Sequence, residues 1–286
     1  MSARSVFEIV PNISEGRDPS VVDACVAAIA GEGARVIHRT SDPVHHRSVI
    51  TAVGSAAQTV AAAVALARTV RDRVDLRRHS GAHPRSGALD VLPFVPLAGA
   101  TLDEAVVLAH RAAARIWREL GIPSFLYGAA ASAPHRVLLA DVRRGEFEGL
   151  ARRLQDPQWQ FDYGDIPHPG AGAIAIGARP ILIAFNVELE TSDIDVARRI
   201  ARCMRERNGG LRTLRALAIR LDPQRVQLSF NITDYAATPL YRVRELVRVL
   251  AAREGVATGP SELIGLAPFA AIERTAAAYA PAPAAD

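Results

Sequence analysis

Lysine is absent from this 286-residue sequence, so all 34 basic residues are arginines. That absence excludes Schiff-base chemistry, a phosphate-loop lysine, a kinase-type strand lysine and Ser–Lys catalysis. Cysteine is scarce: Cys25 and Cys203 lie far apart, each inside a predicted helix. Two such residues make no disulfide framework and no CxxC motif, and they read as small core residues of a reducing compartment. Aromatic residues reach only 5%, and no aromatic-rich strand of the RNA-binding type is present. The arginines are spread among acids on helix faces, which argues against nucleic acid despite the net charge of +4. Long apolar runs are missing too. The most apolar stretch, Val49 to Leu66, is interrupted by Gly54, Ser55, Gln58 and Thr59, so no membrane partner is expected. Met1 to Asn12 has no apolar signal-peptide core and meets Pro11 early, and a cytoplasmic location follows as the expectation.

What remains is a composition of 49% hydrophobic and 22% charged residues, that of a folded globular chain. At about 150 residues per domain, the length suggests two domains or one duplicated unit. The first half reads as strand Val6–Val10, helix from Asp18-Pro19 to about Ala30, and strands Arg35–His38 and Ser48–Val53 around a loop Thr40–Arg47. A helix capped by Ser55 and Gln58 runs towards Asp75, followed by a strand Val91–Leu97. Pro93 and Pro96 suggest an edge or irregular position for that strand. A helix Asp103–Leu120 and a short strand Phe125–Tyr127 close the half.

The second half repeats the order: strand Pro180–Leu189, a helix from a Thr191 cap to Arg205, and strands Leu214–Leu221 and Val226–Ile232 around Asp222-Pro223. A helix Pro239–Glu254 follows, with Leu240, Val243, Leu246, Val247 and Leu250 on one face. The expected fold class is therefore α+β, two tandem ferredoxin-like β-α-β-β-α-β subdomains, spanning residues 1–180 and 181–274. Residues 275–286 read as an Ala/Pro-rich frayed tail.

Three clusters carry candidate chemistry. His79-Ser80-Gly81-Ala82-His83-Pro84-Arg85-Ser86-Gly87-Ala88-Leu89-Asp90 puts two imidazoles, a guanidinium and a carboxylate on backbone that cannot be regular helix. His-x3-His binds zinc from one helix face, and Gly81 with Pro84 rules against that helix, so no metal is expected. The plainer alternative is a polar loop held by an Arg85–Asp90 pair. Asp42-Pro43-Val44-His45-His46-Arg47 forms the second cluster. Its adjacent histidines cannot face one point, while Arg47 could clamp a carboxylate. The third, Asp162 to Ala173, is either an interdomain linker or a loop that lets a flat ligand approach the backbone.

Val10-Pro11-Asn12-Ile13-Ser14-Glu15-Gly16, His79-x3-His83-Pro84-Arg85 leading to Gly87-Ala88-Leu89-Asp90, Gly177-Ala178-Arg179 and Leu182-Ile183-Ala184-Phe185-Asn186 together resemble the formiminotransferase family. The resemblance runs in order from about Val6 to Ile272, and no residues here resemble the cyclodeaminase domain of bifunctional members. It implies a homodimer of two-subdomain chains with a ligand cleft between the subdomains. It also implies transfer of a formimino group from N-formimino-L-glutamate to N5 of tetrahydrofolate, the co-substrate. The family's catalytic histidine falls on His83. Substrate-binding positions are expected at Asn12, His45, His46, Arg47, His79, Arg85 and Asp90, and Arg47 and Arg85 are positioned to neutralise substrate carboxylates. The folate loop falls on Gly164, Asp165, Ile166, Pro167, His168, Pro169, Gly170, Ala171 and Gly172.

One imidazole can serve both proton transfers of such a reaction, with no metal or covalent enzyme intermediate. The sequence departs from the family pattern where His38 and Thr40 replace acids and His46 replaces an asparagine. Those changes predict weaker use of N-formimino-L-glutamate, raised by Thr40→Glu with His46→Asn. A relative with a different formimino or amidine donor, or a non-catalytic folate- or RNA-binding module, stands as the alternative.

Overall fold

The computed structural model describes residues 5–81 and 83–280. The chain divides between Pro180 and Ile181 into two compact units. The first contains strands β1 (Phe7–Ile9), β2 (Asn12–Ile13), β3 (Arg35–Asp42), β4 (Arg47–Gly54), β5 (Leu89–Pro96), β6 (Ser124–Gly128) and β7 (Ile174–Ala178). Its helices are α1 (Pro19–Gly31), α2 (Ala56–Arg73), α3 (Leu102–Leu120), α4 (Leu139–Val142) and α5 (Glu146–Arg153). The helix starts are specified locally. Asp18 accepts from Ser20 N ahead of Pro19, and Ser55/Gln58 and Thr101/Glu104 form complete capping boxes.

β1 and β2 are one strand line broken at Val10-Pro11, flanked by β4 on one side and β5 on the other. The sequence β5, β1/β2, β4, β3 is the strand order of the split βαβ pattern, and β7 and β6 extend it with parallel pairing beyond β5. One face buries Ile9, Ile50, Leu92 and Phe94 against α1, α2 and α3, whose Cys25, Ala63, Ala67, Ala109 and Ala112 are small enough for close approach. Over β5–β7–β6 the opposite face buries Val91, Phe125, Tyr127 and Ala175 against Val142 and Leu150 of α4 and α5.

β5 is thus interior, contrary to the edge position that its prolines suggest. Pro93 lies between positions paired with Ile9 and Asn12, opposite the break at Val10-Pro11. Its carbonyl accepts from Val10 N at 3.4 Å, so its missing N–H faces a strand that is already interrupted. The segment 162–173 is no linker either: it precedes β7 inside the first unit.

The second unit contains β8 (Ile183–Leu189), α6 (Ile194–Met204), β9 (Leu214–Arg220), β10 (Val226–Ile232), α7 (Leu240–Arg253), β11 (Thr258–Ile264) and α8 (Phe269–Tyr279). Its sheet order is β11-β8-β10-β9, antiparallel throughout, again the split βαβ arrangement. Alternate residues Phe185, Val187, Leu228 and Phe230 pack against Val196, Ile200, Val243 and Val247. Asp193, not Thr191, caps α6, while Thr191 Oγ1 accepts from Asp193 N. Cys25 is buried as expected, but Cys203 is exposed because α6 buries the face of Val196, Ala197, Ile200 and Met204. Thr275 to Tyr279 belong to α8 rather than to a frayed tail. Thr275 Oγ1 donates to Ala271 O at 2.8 Å, and Tyr279 Oη to Glu245 Oε1 at 2.9 Å. Residues 281–286 lie outside the described residues.

Candidate active site

The site is assembled where three neighbouring strands begin or end. Asn12 of β2 pairs with Val49 of β4 and with Val91 of β5, so Arg47, two residues before Val49, and Asp90, one before Val91, converge on it. Arg47 donates through Nε and Nη2 to Asn12 Oδ1, the Nε bond being 3.1 Å. Its Nη1 lies 3.0 Å from Asp90 Oδ2 and 2.8 Å from His83 Nδ1. Asp90 is fully buried; its other oxygen, Oδ1, accepts from Ser86 N at 2.9 Å.

His83 Nδ1 also lies 2.6 Å from the Pro84 carbonyl. The nitrogen can accept from Arg47 or donate to Pro84, not both. When it donates, Nε2 keeps its lone pair and is a base. Burial first, then the Arg47 and Arg143 charges, push this imidazole down to about 4, so it is neutral near pH 7. Burial likewise lowers the Arg47 guanidinium to about 10. The His45 ring stands 6.3 Å from the His83 ring, held by its Nδ1 to Asp42 Oδ2 at 2.8 Å.

His46, His79 and Arg85 form a second layer. The His46 Nδ1 faces Ser80 O and its Nε2 faces Glu15 Oε1, both at 3.1 Å. Arg85 Nε donates to His79 Nδ1 at 3.2 Å, which fixes the His79 proton on Nε2, facing the His46 carbonyl at 3.1 Å. Arg85 does not pair with Asp90. Its guanidinium forks onto Glu148 at 2.8 and 2.7 Å and reaches Glu146 Oε2 at 3.2 Å and His79 O at 3.3 Å. All its donors are engaged by groups of the chain itself, and two acids of α5 neutralise its charge. The adjacent histidines of the hairpin do face different partners, as their spacing requires.

The third cluster joins the first. Leu76 N donates to Gly170 O at 2.8 Å, Ala88 N to Ala171 O at 2.9 Å and Ala173 N to Ser86 O at 3.0 Å. His168 Nδ1 accepts from Ala171 N at 2.9 Å and stabilises the turn. Gly172 has φ +68°, and a Cβ there would stand 2.2 Å from Ser86 O. The loop can lie this close to the His83 segment only through a glycine. Asp165 and Ile166 are exposed.

Arg143, Glu15, Glu146 and Glu148 are site or support residues without a role in the sequence reading. Arg143, at the end of α4, places Nη2 2.6 Å from Asp90 Oδ2. In sequence, Arg143-Arg144 and Glu146-x-Glu148 look like a solvated helix surface, and only Glu15 falls inside a motif.

The family models described as "Formiminotransferase domain, N-terminal subdomain" and "Formiminotransferase domain" match residues 6–179 and 184–283. The chain belongs to the formiminotransferase family. It is 42% identical to a glutamate formimidoyltransferase of Streptococcus pyogenes serotype M1, over 96% of this chain and 93% of that protein. A glutamate formimidoyltransferase of Thermoplasma acidophilum is also 42% identical, over 96% and 92%. The formimidoyltransferase-cyclodeaminase of Rattus norvegicus is 38% identical over 96% of this chain but only 52% of its own length. In formiminotransferase terms, the matches cover both units and every cluster that forms the site.

Proposed function

We propose that this formiminotransferase moves a formimino group from N-formimino-L-glutamate to N5 of tetrahydrofolate, with His83 as its acid–base group. The observation that carries the assignment is a neutral imidazole set beside the Arg47–Asp90 pair, its Nδ1 against the Pro84 carbonyl. His83 Nε2 takes the proton that N5 loses as the N5–carbon bond forms. Pro84 O then accepts from the Nδ1–H of the resulting imidazolium, and Nε2 returns the proton to the glutamate nitrogen as the old carbon–nitrogen bond breaks. Atoms and charge balance without a metal or covalent enzyme intermediate. Asn12, through Arg47, holds the imidazole's neighbour in place, so the chain's main contribution is positioning.

Loop 164–172 is the folate-contacting segment of this reading, supported by its docking on Leu76, Ser86 and Ala88 beside His83. His46 gives no support to a different donor. Both its ring nitrogens already face acceptors, so the departure adds no free imidazole. Thr40 is exposed on β3 and pairs with Val49, two strands from Asn12, or about 10 Å across the sheet. The same proposal has the chain working as a homodimer in the cytoplasm, the assembly to be read by sedimentation. The deciding assay incubates the purified chain with tetrahydrofolate and N-formimino-L-glutamate and follows L-glutamate release and folate mass. Release no faster than without enzyme rejects the reading.

A further inference from the structure

We propose that Arg143 is the specificity-determining residue that anchors the α-carboxylate of the formimino donor. Asp90, fully buried, brings one negative charge to two guanidiniums, Arg47 Nη1 at 3.0 Å and Arg143 Nη2 at 2.6 Å. His83 beside them is neutral at working pH. The cluster is left with one surplus positive charge, and both arginine side chains are under 15% exposed. A buried cation without a counter-ion is costly, so the arrangement favours an incoming anion.

Donor geometry then selects which arginine receives it. Arg47 has committed Nε and Nη2 to Asn12 and Nη1 to Asp90 and His83. Arg85 is committed to Glu148, Glu146 and His79. Arg143 differs: Nη2 is close to Asp90 but misaligned for a hydrogen bond, and Nε and Nη2 are buried with no hydrogen-bond partner among the described residues. A planar carboxylate is the anion that a guanidinium with such open donors pairs with most specifically.

The chemistry of the substrates selects which carboxylate. This step rests on the formimino-transfer reading. In a formimino-amino acid, only the donor nitrogen and the α-carbon stand between the amidine carbon and the α-carboxylate. The γ-carboxylate and the glutamyl carboxylates of folate lie further from the reacting atoms. Arg143 touches the same Asp90 oxygen as the arginine that touches His83, so its anion belongs close to the reacting carbon. The α-carboxylate is therefore the recognised group, and the side chain of the donor amino acid lies outside this contact.

The test uses the full chain and its Arg143→Gln and Arg143→Lys variants at saturating tetrahydrofolate. Three donors are compared: N-formimino-L-glutamate, N-formiminoglycine and N-propylformamidine, which has no carboxylate. Arg143→Gln is expected to raise KM on the order of 10- to 100-fold for both carboxylate donors. The loss with the carboxylate donors should exceed that with N-propylformamidine at least several-fold and appear in donor KM rather than folate KM, and Arg143→Lys should restore part of it. Equal losses with all three donors, or a fall in folate affinity together with Tm, would mean a structural prop for Asp90 and overturn the inference. Calorimetric titration with L-glutamate separates the two readings. If wild type transfers from no donor, the function fails, while loss of L-glutamate binding in Arg143→Gln still sustains the carboxylate site and unchanged binding rejects it.

Discussion

The His46 and His79 rings are stacked, centroids 4.1 Å apart and planes within 9° of parallel, and this stack joins the β3–β4 hairpin to the His83 loop. Gly81 completes the joint, since a Cβ there would stand 2.6 Å from His45 O. His79→Ala removes the stack, the acceptor of Arg85 Nε and the donor to the His46 carbonyl. Two hydrogen bonds at about 0.5–1.5 kcal/mol each give an expected destabilisation of about 1–3 kcal/mol. Urea unfolding of the variant measures it, and an unchanged midpoint would show that the two loops are held elsewhere.

His83→Ala should lower turnover on the order of 10²–10⁴-fold, the usual range for a lost general acid–base group. Folding and tetrahydrofolate affinity should survive, because Arg47 keeps Asn12 and Asp90 as partners. Steady-state kinetics with a folate fluorescence titration checks both halves. Near-normal turnover removes His83 from the mechanism.

The depressed His83 value has a definite sign. Burial, Arg47 and Arg143 hold it at about 4 against an ordinary 6.5, so the unfolded chain binds this proton first as pH falls. Stability therefore declines on acidification from about 6.5 towards about 4, and burial of His79 and His168 acts in the same direction. Urea midpoints across that window should fall for wild type and fall less steeply for His83→Ala. Identical slopes for the two proteins contradict the assignment. For catalysis the same shift keeps the base deprotonated, so the acid limb of kcat/KM should lie well below pH 6.5.

Alternation and capping made most elements readable from sequence. Val226 to Ile232 alternates inward and outward along β10, and the apolar face of Pro239–Glu254 became the buried side of α7. What escaped was short or set by distant partners. β7 is only five residues, Ile174–Ala178, three of them Ala or Gly, and its strand character comes from lying between β5 and β6. α4 and α5 are too short for helical periodicity to show. In the candidate site, the His79–Asp90 loop is legible from its imidazoles and broken backbone, and His83 and Asn12 only through the family resemblance; the pairing of their charges is not legible at all. The plainer alternative of an Arg85–Asp90 pair rests on proximity in sequence, whereas the fold gives Arg85 to Glu148 and Asp90 to Arg47 and Arg143. Ion pairs between residues about 60 positions apart depend on where α4 and α5 dock, and no local pattern encodes that.

Gly172→Ala tests the coupling of the folate loop to the His83 segment. The substitution meets φ +68° and Ser86 O at 2.2 Å, so it should cost more than about 1 kcal/mol and weaken tetrahydrofolate binding. Gly209→Ala is the control: φ there is +84°, with nothing within 4 Å of the added Cβ. It carries the backbone penalty without disturbing the loop. Equal folate affinity in the two variants would separate the loop from the ligand.

Reading His46 as an added cationic group predicts that Thr40→Glu with His46→Asn improves use of N-formimino-L-glutamate. In the structure the His46 ring faces Glu15 at 3.1 Å and Ser80 O at 3.1 Å while stacking on His79. Asparagine could replace one of those polar contacts but not the ring. Glu15 would then lose a partner that helps hold its carboxyl below the ordinary range, after its backbone bonds from Asp18 and Arg17. A glutamate at position 40 projects from an exposed strand position about two strand spacings, roughly 10 Å, from Asn12 and has little field at the site through solvent. The double variant should therefore gain no kcat/KM with N-formimino-L-glutamate and should lose stability through His46→Asn alone. Kinetics and urea unfolding of the two single variants and the double variant separate these effects. A several-fold gain in kcat/KM confined to the double variant would restore the electrostatic reading of the departures.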